Sequence, residues 1–262
     1  MSLKKLGLIS SIPLSFCLKS GLNLNLLNRS PVHSSSSDPR STAAKLPRPV
    51  LEQVFAFPPN RETLGGTAYL IQQAEGNILV DCPAWDETHQ TFLEESGGVR
   101  WLVITHRDAI ARAHLIQQRF NCEILIQEQE AYLLPGTPVT PFQSDYLLIP
   151  HCQVIWTPGY SPGSSCLYCD RHNGILFTGR HLLPNQHGQP VPLKLPKTFH
   201  WLRQLNNVRL LRDRFSPETL HYICPGANTG FLRGNRYIDQ AYTHLTQIDL
   251  NSGMVVSAVE PL

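Results

Sequence analysis

Short apolar runs separated by turn residues fill the chain from Leu51 onward. Residues 67–71 and 78–81 have the length and apolar character of strands, and the turn at residues 74–77 predicts that they form a hairpin. The continuous apolar run at 101–105 is typical of a buried strand, and residues 123–127 predict the next one.

Two helices are predicted among these strands. Residues 86–96 fit a short helix that ends at Gly97 and Gly98. Residues 108–120 predict a second helix, because Ile110, Ala113, Ile116 and Phe120 recur at three- and four-residue spacings. A strand, a helix and a strand in this order imply a parallel strand pair joined by a crossover helix.

The second half of the chain has an antiparallel pattern. Strands are predicted at residues 154–156, 164–168 and 174–178, with short links between them. An amphipathic helix follows a possible Thr198 cap, then a strand at 221–224 and a last helix at 235–250. The predicted fold is therefore α/β, with two mixed sheets packed face to face and helices on the outer faces.

The first 50 residues differ in composition from the rest. They are rich in Ser and Asn, and Asp38 is their only acidic residue. Such a segment buries too little apolar surface to offset its ordering entropy, so we expect disorder there. A targeting leader and a mis-assigned start codon remain alternatives. Residues 51–262 are predicted to form a single domain.

Charge and hydropathy exclude several classes of protein. The 22 basic and 20 acidic residues give a formal net charge of +2, which argues against wholesale binding to nucleic acid or anionic membranes. No apolar run is long enough to span a bilayer. Arginines concentrate between residues 201 and 236, but no aromatic residues alternate with them, so we expect a solvated helix face there.

Seven scattered cysteines do not predict a disulfide framework, and a reducing compartment is the default expectation. Cys166 and Cys169 lie three positions apart in a predicted strand, so their side chains should point to opposite faces. Cys82 and Cys224 should be small buried hydrophobic residues. The expected location is cytoplasmic, or an organelle stroma if residues 1–50 are a transit peptide.

The candidate chemistry lies where predicted strands end. These positions carry Asp81, the segment from Thr105 to Asp108, the loop from Thr157 to Ser164, the segment from Thr178 to His181, and Cys224 to Ala227. Taken in this order, the motifs resemble the metallo-β-lactamase superfamily over roughly residues 53–232, in particular a branch from photosynthetic organisms, cyanobacterial or plastid-like. The resemblance implies an αββα four-layer sandwich and a hydrolase.

The resemblance also implies metal ligands, and most of them are replaced in this chain. His106 keeps the first position and Asp108 offers an oxygen at the second. Tyr160 would be a weak ligand, and Arg180 stands where a bridging carboxylate is expected. A catalytic zinc needs about three protein ligands, and a guanidinium repels a dication. The remaining expected ligand positions hold Ile110, Ala111 and Ala227.

We therefore predict a degenerate site with no metal cofactor, and a pseudoenzyme rather than an enzyme. Tyr160, Ser161, Arg180 and His181 are the candidate binding residues for a small anion, and a protein partner is the other possibility. The alternative is a hydrolase of ester, thioester or phosphodiester type with one zinc or iron ion. Its residual ligands would be His106, Asp108 and His114, and Asp81 would support the His106 loop. Substrate and oligomeric state are left open.

Overall fold

The computed structural model describes residues 44–250 of the chain. Two large β-sheets and five α-helices are the main elements of this part. The predicted leader, residues 1–50, falls mostly outside that range, although the first strand already begins at Arg48. No helix within residues 44–250 is long and apolar enough to cross a membrane.

The first sheet has seven strands in the order β1 to β7. Its first four strands are antiparallel neighbours, and β4 to β7 are parallel. The predicted hairpin is confirmed by the β3–β4 pair, and the predicted crossover by the β5–β6 pair. The strands are β1 Arg48–Leu51, β2 Val54–Ala56, β3 Tyr69–Ile71, β4 Ile78–Val80, β5 Trp101–Val103, β6 Glu123–Gln127 and β7 Thr140–Phe142.

The second sheet has five strands in the order β14-β11-β10-β9-β8, and a two-stranded hairpin of β12 and β13 lies between β11 and β14 in the chain. The β9–β10–β11 meander is antiparallel as predicted, whereas β14 pairs with β11 in parallel. The strands are β8 Tyr146–Ile149, β9 Cys152–Trp156, β10 Ser165–Cys169, β11 Ile175–Gly179, β12 Leu183–Pro184, β13 Pro190–Val191 and β14 Tyr222–Pro225.

Three apolar layers hold the sheets and helices together. One lies between the two sheets and contains side chains of both, such as Tyr69 and Phe177. Helices α1 and α2 cover the outer face of the first sheet, and α4 and α5 cover that of the second. This arrangement is the four-layer α/β sandwich that the sequence predicts. The helices are α1 Glu87–Glu95, α2 Ala113–Phe120, α3 Glu128–Ala131, α4 Trp201–Arg214 and α5 Ala241–Thr246.

Two predicted helices, α2 and α5, are shorter than expected, and α4 has a different cap. Helix α2 starts only at Ala113, because Ala111 has a φ of 33° that no α-helix accommodates. Helix α4 is capped by the His200 ring, which accepts a hydrogen bond from the Arg203 N–H, rather than by Thr198. Helix α5 has six residues, since Gln240 has left-handed backbone angles just before it.

A disulfide that the sequence did not predict joins Cys152 to Cys169. The two residues face each other directly across the antiparallel β9–β10 pair, a proximity that only the strand register reveals. Cys166 packs in the layer under α4 and Cys169 between the sheets, which confirms that the two side chains point to opposite faces. Cys82 and Cys224 are free and buried, as expected.

Replacing Tyr69 by Phe tests how the two sheets are linked. The fully buried Tyr69 hydroxyl lies 2.8 Å from the Pro225 carbonyl and 3.0 Å from that of Arg236. Losing this donor should lower the free energy of unfolding by about 1 to 2 kcal/mol, measured by urea denaturation. Tyr222→Phe is the control, because among residues 44–250 the Tyr222 hydroxyl has no hydrogen bond. Equal losses in both variants would contradict the prediction.

Candidate functional site

The ends of several strands lie at one edge of the sandwich, where the loops that follow them contact one another. Asp81 follows β4, His106 lies three residues after β5, Tyr160 follows β9 and Arg180 follows β11. Gly179 is essential for this approach, because it has a φ of 51° and a Cβ there would lie 2.3 Å from the Thr105 hydroxyl. These loops form the candidate site.

Asp81 fixes the loop that carries His106. Its buried carboxylate accepts hydrogen bonds from the Thr105 N–H and hydroxyl, each at 2.8 Å. Burial raises the pKa of Asp81 to about 7, although the Thr105 hydrogen bonds and the Arg180 charge favour the ionised form. These hydrogen bonds fix the backbone of the residue that precedes His106.

The His106 imidazole is enclosed and uncharged. Burial, with the Arg180 charge second, lowers the pKa of this ring to about 3. Its face meets the Tyr160 ring edge to face, with centroids 5.2 Å apart. The Nδ1 atom has no hydrogen-bond partner among the described residues.

Tyr160 and Asp108 form a short hydrogen bond. The Tyr160 hydroxyl donates to Asp108 Oδ2 at 2.5 Å, which ties the loop after β9 to the loop after β5. Burial raises the pKa of Tyr160, and the bond to Asp108 raises it further. Burial also acts to raise the pKa of Asp108, but the Tyr160 bond and nearby cationic side chains outweigh it, so the net shift is downward. The pair is thus a neutral phenol on an ionised carboxylate.

Arg180 lies at the centre of the site, with only 8% of its surface exposed. Its Nη2 donates to the carbonyls of Thr63 and Leu64 at 3.0 and 2.7 Å. The guanidinium carbon is 5.9 Å from the centroid of the Tyr160 ring, a cation–π distance. Arg180 therefore contacts two separate loops.

Ser161 and His181, the other two predicted anion-binding residues, make their contacts elsewhere. Ser161 is fully buried, and its hydroxyl lies 3.0 Å from that of Ser164. The His181 carbonyl accepts a hydrogen bond from Gln204, while both ring nitrogens lack partners in the described structure. Burial lowers the pKa of His181 to about 3. Only Tyr160 and Arg180 of this predicted set thus join His106 and Asp108.

Two ionisable residues at the site were missed by the sequence analysis. Buried Glu130 accepts a hydrogen bond from the Gly163 N–H at 3.1 Å and so holds the loop after β9. Exposed Lys197 lowers the pKa of Asp108, and its carbonyl accepts a hydrogen bond from Arg107 at 3.1 Å. No motif marks either residue, because both reach the site through tertiary contacts.

These donors do not suit a metal ion. Among residues 44–250, no group of three His, Cys, Asp or Glu side chains is placed to hold one. His114 lies at the start of α2 and joins no such group. The Asp108 carboxylate already accepts the Tyr160 hydroxyl, and the Arg180 guanidinium supplies a permanent positive charge at the centre.

Comparisons with solved structures decide the fold. An archaeal metallo-β-lactamase superfamily protein from Sulfolobus tokodaii is 14% identical, with 77% of this chain and 91% of that one covered at a TM-score of 0.52. VMB-1 is 12% identical at a TM-score of 0.59, with 76% and 93% covered. The chain has the metallo-β-lactamase fold.

A third neighbour of this fold is TTHA1623, whose structure was determined in a di-iron-bound form. It is 20% identical, with 71% of this chain and 96% of that one covered at a TM-score of 0.55. At these identities the similarity establishes the metallo-β-lactamase fold alone. No protein-family model and no curated protein sequence matches the chain.

The buried histidines predict that acid destabilises the protein. His106 and His181 have pKa values near 3 in the folded chain and near 6.5 when unfolded. Below pH 6.5 the unfolded chain therefore takes up protons that the folded chain does not, and stability is lost as the pH falls. His181→Leu should make this loss shallower, by up to about 1.4 kcal/mol per pH unit.

Urea denaturation of both proteins at a series of pH values between about 4 and 7 measures the effect. Other titrating groups, such as Asp81, contribute equally to the pH dependence of stability in both proteins. The difference between the two pH curves therefore measures the contribution of His181. The exposed His187→Leu variant is the matched control and should follow the unmodified protein. An unchanged slope in His181→Leu would show that this ring is protonated in the folded state.

Proposed function

We propose that this protein is a pseudoenzyme of the metallo-β-lactamase fold that binds a small anion at the former catalytic edge. The observation that carries the proposal is a group of three cationic side chains there, Arg107, Arg180 and Lys197. Two carboxylates of the site, Asp81 and Glu130, are buried, and burial raises the pKa of each. Arg107 and Arg180 both act electrostatically on His106 and on Tyr160, and Lys197 acts with Arg180 on Asp108. Asp108 is the only carboxylate among the half-exposed residues of this group.

The three cations lack anionic partners of their own. Within the described part of the chain, none of Arg107, Arg180 and Lys197 forms an ion pair, whereas Arg112, Arg119 and Arg214 each do. Unpaired cationic groups that share one site are suited to a phosphate or a carboxylate.

Arg107 and Lys197 would make the direct contacts with the anion. Lys197 is exposed and Arg107 half-buried, and the 3.1 Å bond from Arg107 Nη2 to the Lys197 carbonyl fixes their segments side by side. Tyr160 and Arg180 lie beneath them and contribute charge and shape. Of the predicted binding residues, Ser161 and His181 would support the surrounding loops.

Loss of hydrolysis follows from the same donors. The di-iron-bound neighbour shows that the fold can hold metal ions, yet the residues of this chain offer one buried imidazole, one hydrogen-bonded carboxylate and a guanidinium. With no ligand set to activate water, the fold would serve recognition alone.

Binding of inorganic phosphate and of succinate tests the proposal. Each probe at about 10 mM should raise the melting temperature of the unmodified protein by mass action, and calorimetry gives the dissociation constant. The double variant Arg107→Gln/Lys197→Gln should bind about tenfold more weakly or worse. Lys194→Gln, an exposed lysine of the same segment, is the control and should bind normally. Equal affinities in all three proteins, or no binding of either probe, would refute the proposal.

Metal analysis tests the loss of hydrolysis separately. Protein expressed in medium supplied with zinc and iron should contain far less than one ion per chain after desalting. It should not cleave generic ester, thioester or phosphodiester substrates above the rate of the same reaction without protein. A stoichiometric zinc or iron ion together with measurable turnover would instead support the mononuclear hydrolase.

A further inference from the structure

The Arg180 side chain connects parts of the site that lie far apart in the chain. It follows β11 at the Gly179 bend, and its Nη2 reaches the carbonyls that close the turn at Thr63 and Leu64. The guanidinium also faces the Tyr160 ring, which in turn is bonded to Asp108. From the loop after β11, Arg180 therefore contacts the turn before β3 and the Tyr160 ring in the loop after β9. It reaches Asp108, in the loop after β5, only through Tyr160.

The partners of Arg180 are those that a bound cation would have. Two are carbonyl oxygens and one is an aromatic face, and the charge favours the ionised forms of Asp81 and Asp108. Leu64 has a left-handed φ of 55° and an exposed side chain, so its own side chain does not fix this turn. Backbone hydrogen bonds within residues 60–66 shape the turn, and the bonds from Arg180 to the Thr63 and Leu64 carbonyls tie it to the loop after β11.

We propose that Arg180 is a built-in structural cation, which holds the loops of this site together as a positioning residue and makes their arrangement independent of any bound ion. The inference concerns the folded protein without ligand, so it stands whether or not the site binds an anion. It also accounts for a buried arginine without an ion pair, which would otherwise be costly to keep.

Arg180→Met and Arg180→Lys separate charge from side-chain length. Met keeps most of the carbon chain but neither donates nor carries charge, so the melting temperature should fall by about 5 °C or more, or folding should fail. Lys retains the charge and one donor group, and it should recover at least half of that loss. Arg112→Met is the matched control: Arg112 is ion-paired with Glu62 beside the same turn but is half exposed, and its loss should cost about 2 °C or less.

A chelator provides the second readout. The melting temperature of the unmodified protein should be the same with and without excess EDTA, since no ion holds the site. The proposal is overturned if Arg180→Met melts within about 2 °C of the unmodified protein. It is also overturned if the melting temperatures of the Lys and Met variants fall by the same amount, or if neither variant folds. A chelator-induced loss of stability would overturn it as well.

Discussion

The close packing of two sheets face to face is the constraint on which the rest of this structure depends. It places the ends of β4, β5, β9 and β11 at one edge, where their loops must share a small volume. Tyr69 links the sheets near this edge, through the carbonyls of Pro225 and Arg236. The fold brings these loops together, and the side chains that the loops carry decide the chemistry of the site.

The residues at this edge have two different roles. Asp81, Thr105 and Gly179 maintain the backbone of the site through hydrogen bonds and close approach. Tyr160 and Arg180 place a phenol and a guanidinium at this edge, and both groups form hydrogen bonds to other loops of the site. Most polar side chains of the edge thus bond to the loops themselves, whereas the buried rings of His106 and His181 keep nitrogen atoms without partners in the described structure.

Most of the fold could be predicted from the sequence, because strand runs and the β5–β6 crossover are local patterns. Helix ends could not, since Ala111 and Gln240 have left-handed backbone angles that composition does not signal. The segments that meet at the site, after β4, β5, β9 and β11, could be identified from the motifs at the ends of the predicted strands. Sequence reasoning could not predict which way Ser161 and His181 point, because tertiary packing decides it. The same holds for the positions of Glu130 and Lys197 at the site.

The Cys152–Cys169 bond has a consequence for the segment that it encloses. The covalent ring runs up β9, through the loop that carries Tyr160, and back along β10. A protease that cuts within this loop would leave both fragments attached to each other until a reductant is added. The same ring keeps the two strands as neighbours in the unfolded chain, so their pairing starts from a shortened search whenever the protein refolds under oxidising conditions.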